Sequence, residues 1–140
     1  MNERLAPATL PPGQRIYAVG DVHGCLDQLD AMHRAIAADL RARPIAAGLH
    51  SGPNDDSVVI HLGDYIDRGP DSAGVIARLI APFPVAGVRV VNLMGNHEDL
   101  LLGALEGRRR EIEVWMINGG MRRSPAGGCR RARRPSAGAS

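Results

Sequence analysis

Three short apolar runs alternate along this chain with three stretches of helical periodicity, and each apolar run stops abruptly at a polar cluster. Residues 15–19 (Arg15-Ile16-Tyr17-Ala18-Val19), 57–62 (Ser57-Val58-Val59-Ile60-His61-Leu62) and 85–93 are rich in β-branched side chains and read as strands. After the first, Leu26, Leu29, Met32, Ile36 and Leu40 recur at spacings of three and four, predicting a helix from Cys25 to about Arg41. A second helix is predicted over residues 71–80, with Asp71 or Ser72 as its cap. Val75, Ile76, Leu79 and Ile80 form its buried stripe, and Pro82 and Pro84 stop it. A third begins at about Glu98, turns Leu101, Leu102 and Leu105 inward, and extends or restarts over residues 111–117.

The order β-α-β-α-β-α predicts an α/β layer architecture with mainly parallel strands. Residues 15–118 form the expected domain. Residues 1–14 read as an irregular leader, and residues 42–56, rich in Pro, Gly, Asn and Asp, as a long surface loop. Residues 119–140 read as a disordered arginine-rich tail without periodicity. In open α/β sheets ligand sites lie beyond the carboxyl ends of the strands. The clusters Asp21/His23, Asp64/Asp67 and Asn96/His97 are therefore expected to converge at one edge.

Composition changes this picture little. The formal charge of +2 and pI near 8.9 belong to the tail. Six arginines and no acid follow residue 118, which leaves the preceding part four charges negative. No nucleic-acid partner is expected on that basis. Cys25 and Cys129 lie far apart and outside any CxxC pair, which argues against a disulfide framework or a zinc knuckle. No segment reaches the roughly 18 apolar residues of a membrane span, and no basic region followed by an apolar run marks a signal peptide. A cytoplasmic protein without a membrane partner is the expectation.

Collected at one edge, Asp21, His23, Asp64, Asp67, Arg68, Asn96, His97 and Glu98 offer carboxylate, imidazole and amide oxygen ligands. That mixture suits Mn²⁺, Fe or Zn²⁺ better than Ca²⁺. Asp64, on the middle cluster, is the natural bridge between two ions, which together clamp a phosphate and acidify a water. Arg68 can bind phosphate oxygens through two N–H groups, and His97 can protonate a leaving group. The plainer readings are a structural ion pair for Asp67 and Arg68, and helix face, loop and strand for His33, His50 and His61. The arginine runs read as solvated charge.

Gly20-Asp21-Val22-His23-Gly24, Gly63-Asp64-Tyr65-Ile66-Asp67-Arg68-Gly69 and Gly95-Asn96-His97-Glu98 resemble the three signature blocks of the calcineurin-like metallophosphoesterases. More narrowly, they resemble the serine/threonine protein phosphatase branch and its bacterial members. The resemblance implies the N-terminal half of an α/β/β/α sandwich and a hydroxide held by two divalent metals, Mn²⁺ first among them. It implies that Asp21 and His23 hold the first metal, Asp64 bridges both, and Asn96 binds the second. His97 is then the general acid, Asp67 orients it, and Arg68, with Asn96, contacts the phosphate. Glu98 stays outside the ligand set. The implied substrate is a phosphorylated protein or small phosphoester. The alternatives are a diadenosine tetraphosphate hydrolase of the same superfamily and a non-catalytic metal- or phosphate-binding fragment. Glu98 in the third block, and Asp67 before Arg68, point to the phosphatase branch.

The family's site needs two further histidines, and no histidine follows His97. Val114-Trp115-Met116-Ile117-Asn118-Gly119-Gly120 still resembles bacterial members, which continue with a motif like Asp-Ala-Thr-Leu-x-Ser-Tyr/Trp-Gly. Codons can be chosen for residues 121–129 that, read one base earlier, encode such a motif. The expectation is a chain truncated by a frameshift near Gly120, weakly active or inactive, with an apolar face left uncovered.

Overall fold

A computed structural model describes residue 10, residues 14–42 and residues 57–120. The leader, the loop at 43–56 and the tail beyond 120, with their expected irregularity and the frameshift reading, lie outside the described residues. The elements run β1 (Arg15–Val19), α1 (Leu26–Ala42), β2 (Ser57–His61), α2 (Ser72–Ile80), β3 (Arg89–Asn92), α3 (Asn96–Leu105) and α4 (Arg109–Ile117). The strands form one parallel sheet in the order β1-β2-β3, with Tyr17 opposite Val59 and Val59 opposite Val90. The expected α/β class and parallel pairing are what the structure has.

Strand alternation sorts the sheet into two faces. Tyr17, Val19, Val59 and His61 share the face that carries the core. There they meet Leu29, Ile36 and Leu40 of α1 and Val75 of α2. Each of these apolar side chains contributes roughly 1.5–3 kcal/mol by leaving water. The opposite face carries Ile16, which is 42% exposed, and the exposed Ala18. Tyr17 ties β1 to α1 through a hydrogen bond from its hydroxyl to Asp39 (2.6 Å). Arg78 of α2 pairs with Asp30 of α1 (2.7 Å).

Several boundaries and faces differ from the expectation. In α1 the buried stripe is Leu29, His33, Ile36 and Leu40, and His33 takes the place that the periodicity gave to Met32. Asp71 does cap α2, its side chain accepting from the Gly74 amide (2.8 Å). Ile80, however, the last residue of the helix, is 80% exposed. β3 is shorter than residues 85–93: a turn at Ala86-Gly87 delays pairing until Arg89. Val85 and Val88 pack on the core from that turn. α3 starts two residues early, at Asn96, with Gly95 as its N-cap. Leu101 packs against the core, but Leu102 and Leu105 are exposed, not inward. The buried residues of α3 are His97 and Gly103, and over Gly103 lie Arg108 and Glu111 of the α4 segment. Cys129, the other cysteine of the chain, lies outside the described residues. Among the described residues no helix is long and apolar enough to cross a membrane.

Candidate active site

The loops after β1, β2 and β3 are stitched together by main chain. The amides of Val22 and His23 donate to the Asp64 carbonyl (3.0 and 2.9 Å), and the Gly24 amide donates to the Tyr65 carbonyl (2.7 Å). Gly63 and Gly95 let the second and third loops touch: a Cβ on Gly63 would collide with the Gly95 backbone, and one on Gly95 with Asp64. Gly63 and Gly95 are thus required by backbone approach, whereas a Cβ on Gly20 would meet nothing within 4 Å.

Glu98 organises the middle of this edge. Its carboxylate accepts from the amides of Asp64 (2.8 Å), Tyr65 (2.8 Å), Ile66 (3.2 Å) and Gly95 (2.9 Å). The Gly95 bond is the reach-back of a residue at the third position of a helix to its own N-cap. The other three capture the loop after β2. Both oxygens are therefore engaged with main chain, and Glu98 has no free donor atom to offer a ligand. Tyr65 finishes the scaffold: its hydroxyl lies 2.5 Å from the Leu93 carbonyl and 3.1 Å from that of His61, joining the ends of β2 and β3. Burial pushes the pKa of that hydroxyl up from its ordinary value.

Four residues of the site adopt left-handed backbone: His23 (φ 43°), Asp64 (53°), Asp67 (68°) and Arg68 (62°). For residues other than glycine this costs on the order of 1 kcal/mol each, and such residues gather at functional sites. All four were singled out from the sequence for their chemistry.

The side chains form one connected group. Asp21, His23 and Asp64 each bring a ligand atom within 4.8 Å of the others. A divalent ion with ligand distances near 2.0–2.2 Å would draw such a set closer together, and carboxylate–imidazole–carboxylate is a donor set that Mn²⁺, Fe and Zn²⁺ accept. Asp21 is largely open to solvent, with its carboxylate 3.8 Å from His23 Nε2. Asp64 is steadied by the His97 amide, which donates to its Oδ1 (3.1 Å). Asn96, exposed, sits one residue before His97 at the start of α3.

Arg68 fixes the tautomers. A guanidinium only donates, so its bonds to His23 Nε2 (2.8 Å) and His97 Nε2 (2.9 Å) make both nitrogens acceptors. The ring protons then sit on Nδ1: His23 donates to the Ile66 carbonyl (3.0 Å) and His97 to Asp67 Oδ2 (2.8 Å). The two rings meet edge to face with centroids 4.8 Å apart. His97 and Asp67 are buried, whereas Arg68 and Asp21 face solvent. The result is a buried Asp67–His97 dyad whose second nitrogen accepts from the Arg68 guanidinium, beside a carboxylate cluster.

Two features were not anticipated. Trp115 of α4 donates its indole N–H to Asp67 Oδ2 (2.8 Å). His33 and His61 form a buried pair, with Nε2 atoms 2.9 Å apart and His61 Nδ1 2.7 Å from Asn92 Oδ1. Burial, the facing His61 and Arg78 lower the pKa of His33 from 6.5 to about 4, against an upward pull from Asp30, and burial lowers that of His61. The Asn92 amide N–H₂ donates to the Leu79 carbonyl (3.3 Å). Its Oδ1 is thereby turned to His61, which carries its proton on Nδ1.

A family model for calcineurin-like phosphoesterases matches residues 14–128. Serine/threonine-protein phosphatase 1 of Salmonella typhimurium is 32% identical over 107 residues, which cover 76% of this chain and 39% of that protein. A symmetrical bis(5'-nucleosyl)-tetraphosphatase of an Acidovorax species is 38% identical over 95 residues, covering 68% of this chain and 27% of that protein. A protein of the same name from Bordetella pertussis is 36% identical over 95 residues, 68% of this chain and 28% of its own length. The chain thus spans between about a quarter and two fifths of the length of these relatives. No solved structure gives a significant match. With a family match across most of its length and the three motif loops assembled on one edge of a parallel sheet, the chain belongs to the calcineurin-like phosphoesterase family.

Proposed function

We propose that this chain carries the metal-holding and proton-donating part of a phosphoester hydrolase of the serine/threonine protein phosphatase type. The observation that carries this is the continuous chain of contacts from Asp67 through His97 and Arg68 to His23, beside the Asp21–His23–Asp64 group. Asp21, His23 and Asp64 would hold one divalent ion, and Asp64 and Asn96 would contribute ligands to a second. When bound, the ions supply positive charge against the phosphate and a water acidic enough to attack near neutral pH. Arg68, exposed, turns from the two histidines to the phosphate oxygens. That frees Nε2 of His97 to carry a proton to the departing oxygen while Asp67 holds the Nδ1 proton.

A second reading, a dinucleoside tetraphosphate hydrolase, is favoured by the 38% identity to the Acidovorax protein of that name. The machinery is common to both readings, so substrate separates them. Purified chain with Mn²⁺ is offered a phosphoserine peptide, diadenosine tetraphosphate and p-nitrophenyl phosphate. Slow phosphate release from the peptide, abolished by Asp64→Asn, is the expected result. Release from the dinucleotide alone would transfer the assignment to the second reading, and none from any substrate would overturn both.

A further inference from the structure

Trp115 has no place in the reaction just described, yet its indole is bonded to the same carboxylate oxygen that holds His97. Asp67 Oδ2 accepts from His97 Nδ1 (2.8 Å) and from Trp115 Nε1 (2.8 Å). Two donors on one oxygen fix the carboxylate plane, and the imidazole then has one orientation in which Nδ1 stays bonded. The main chain on the other side of Asp67 is held too, its amide donating to the Ser72 hydroxyl oxygen (3.0 Å).

The end of α4 is built to hold that indole still. The helix closes with the Gly120 amide donating to the Trp115 carbonyl (2.9 Å) and the Gly119 amide to that of Met116 (3.3 Å), with Gly119 at φ 101°. This is a Schellman closure, and Trp115 is the residue it grips. Gly120 lies flat on the ring: a Cβ there would overlap the indole, including Nε1. The same turn reaches Arg68, whose Nε lies 3.5 Å from the Asn118 carbonyl, while a Cβ on Gly119 would rest 3.5 Å from Arg68 Cγ. One helix end thus touches the dyad and the neighbouring guanidinium.

We infer that Trp115, locked by Gly119-Gly120, is a positioning residue for the reaction: it orients Asp67 and, through Asp67, the proton-donating His97. The inference rests on the role proposed above for His97, and it assigns to the Trp115–Gly120 turn a task in the chemistry as well as in packing.

The test uses the full chain and its single tryptophan. Trp115→Phe keeps an aromatic ring and removes the N–H, and Gly120→Ala keeps the indole and displaces it. Both are predicted to lower kcat on p-nitrophenyl phosphate with Mn²⁺ by about tenfold with KM unchanged. In a His97→Ala background neither should cause a further loss. In the parent chain the lone indole N–H signal in a ¹H–¹⁵N spectrum should move on Asp67→Asn, and the imidazole Nδ1–H signal of His97 should vanish in Trp115→Phe. An unchanged kcat in a folded Trp115→Phe, or an indole signal indifferent to Asp67→Asn, overturns the inference. If the parent hydrolyses nothing, the proposed function falls. The His97 Nδ1–H signal then decides this inference by itself: loss in either variant supports the positioning, and persistence in both refutes it.

Discussion

Nε2 of His23 lies 2.8 Å from Nη1 of Arg68, so the imidazole nitrogen expected to hold a metal faces a guanidinium. Metal and arginine compete for one lone pair. Arg68→Ala is predicted to raise the affinity of the chain for Mn²⁺ by roughly 5- to 10-fold, the equivalent of one ordinary net hydrogen bond of about 1–1.5 kcal/mol. The same variant should bind inorganic phosphate more weakly. Calorimetric titration reads both, and a fall in Mn²⁺ affinity would show that Arg68 supports the site instead of competing for it.

Glu98 holds four amides on one carboxylate. Glu98→Gln replaces one accepting oxygen by a donating N–H₂, which then faces N–H groups already lacking other partners. The expected loss is about 2–3 kcal/mol of unfolding free energy, measured by urea denaturation. Because the loop after β2 carries Asp64, the Mn²⁺ affinity of any folded fraction should fall as well. A variant as stable as the parent would mean that these amides find water.

The buried His33–His61 pair makes stability depend on acid. His33 titrates at about 4 in the folded chain and at 6.5 in its ordinary state. The unfolded chain therefore binds more protons than the folded one between those values, and stability rises with pH across the interval. It is fully present above pH 6.5 and is lost as the pH falls toward 4. His33→Gln can still donate to His61 but does not titrate, so the urea midpoint of that variant should vary less between pH 6.5 and 4. An equally steep dependence would trace the acid sensitivity to other groups.

Asp71 offers a smaller test. Its side chain closes the first turn of α2 on the Gly74 amide, and Asp71→Ala should cost about 1 kcal/mol. Asp71→Ser should recover most of it. Equal stability of the alanine and serine variants would remove the cap from the account.

The strands, the helices and the convergence of the three polar clusters were legible because apolar period and strand direction are local properties. A parallel strand ending in Asp-x-His or Asn-His announces where its polar end will be. What covers an apolar stripe is not local, so periodicity marked Ile80, Leu102 and Leu105 as buried although each is exposed. His33 and His61 were assigned to a helix face and a strand because a lone histidine gives no signal of a partner 28 residues away. Trp115 reaches Asp67 across 48 residues, and an aromatic in a helix reads as packing whatever its N–H does. Glu98 alone left a trace: its place at the third position of a helix opened by glycine is that of a residue that reaches back to main chain.

His23, Asp64, Asp67 and Arg68 all stand in left-handed backbone. Glycine at any of these positions would relax the chain by on the order of 1 kcal/mol and delete a side chain from the site. A library selected only for heat resistance should therefore drift toward glycine or asparagine at these four positions, whereas one selected for phosphate binding should hold them fixed. Endurance and chemistry pull this sequence in opposite directions at the same four residues.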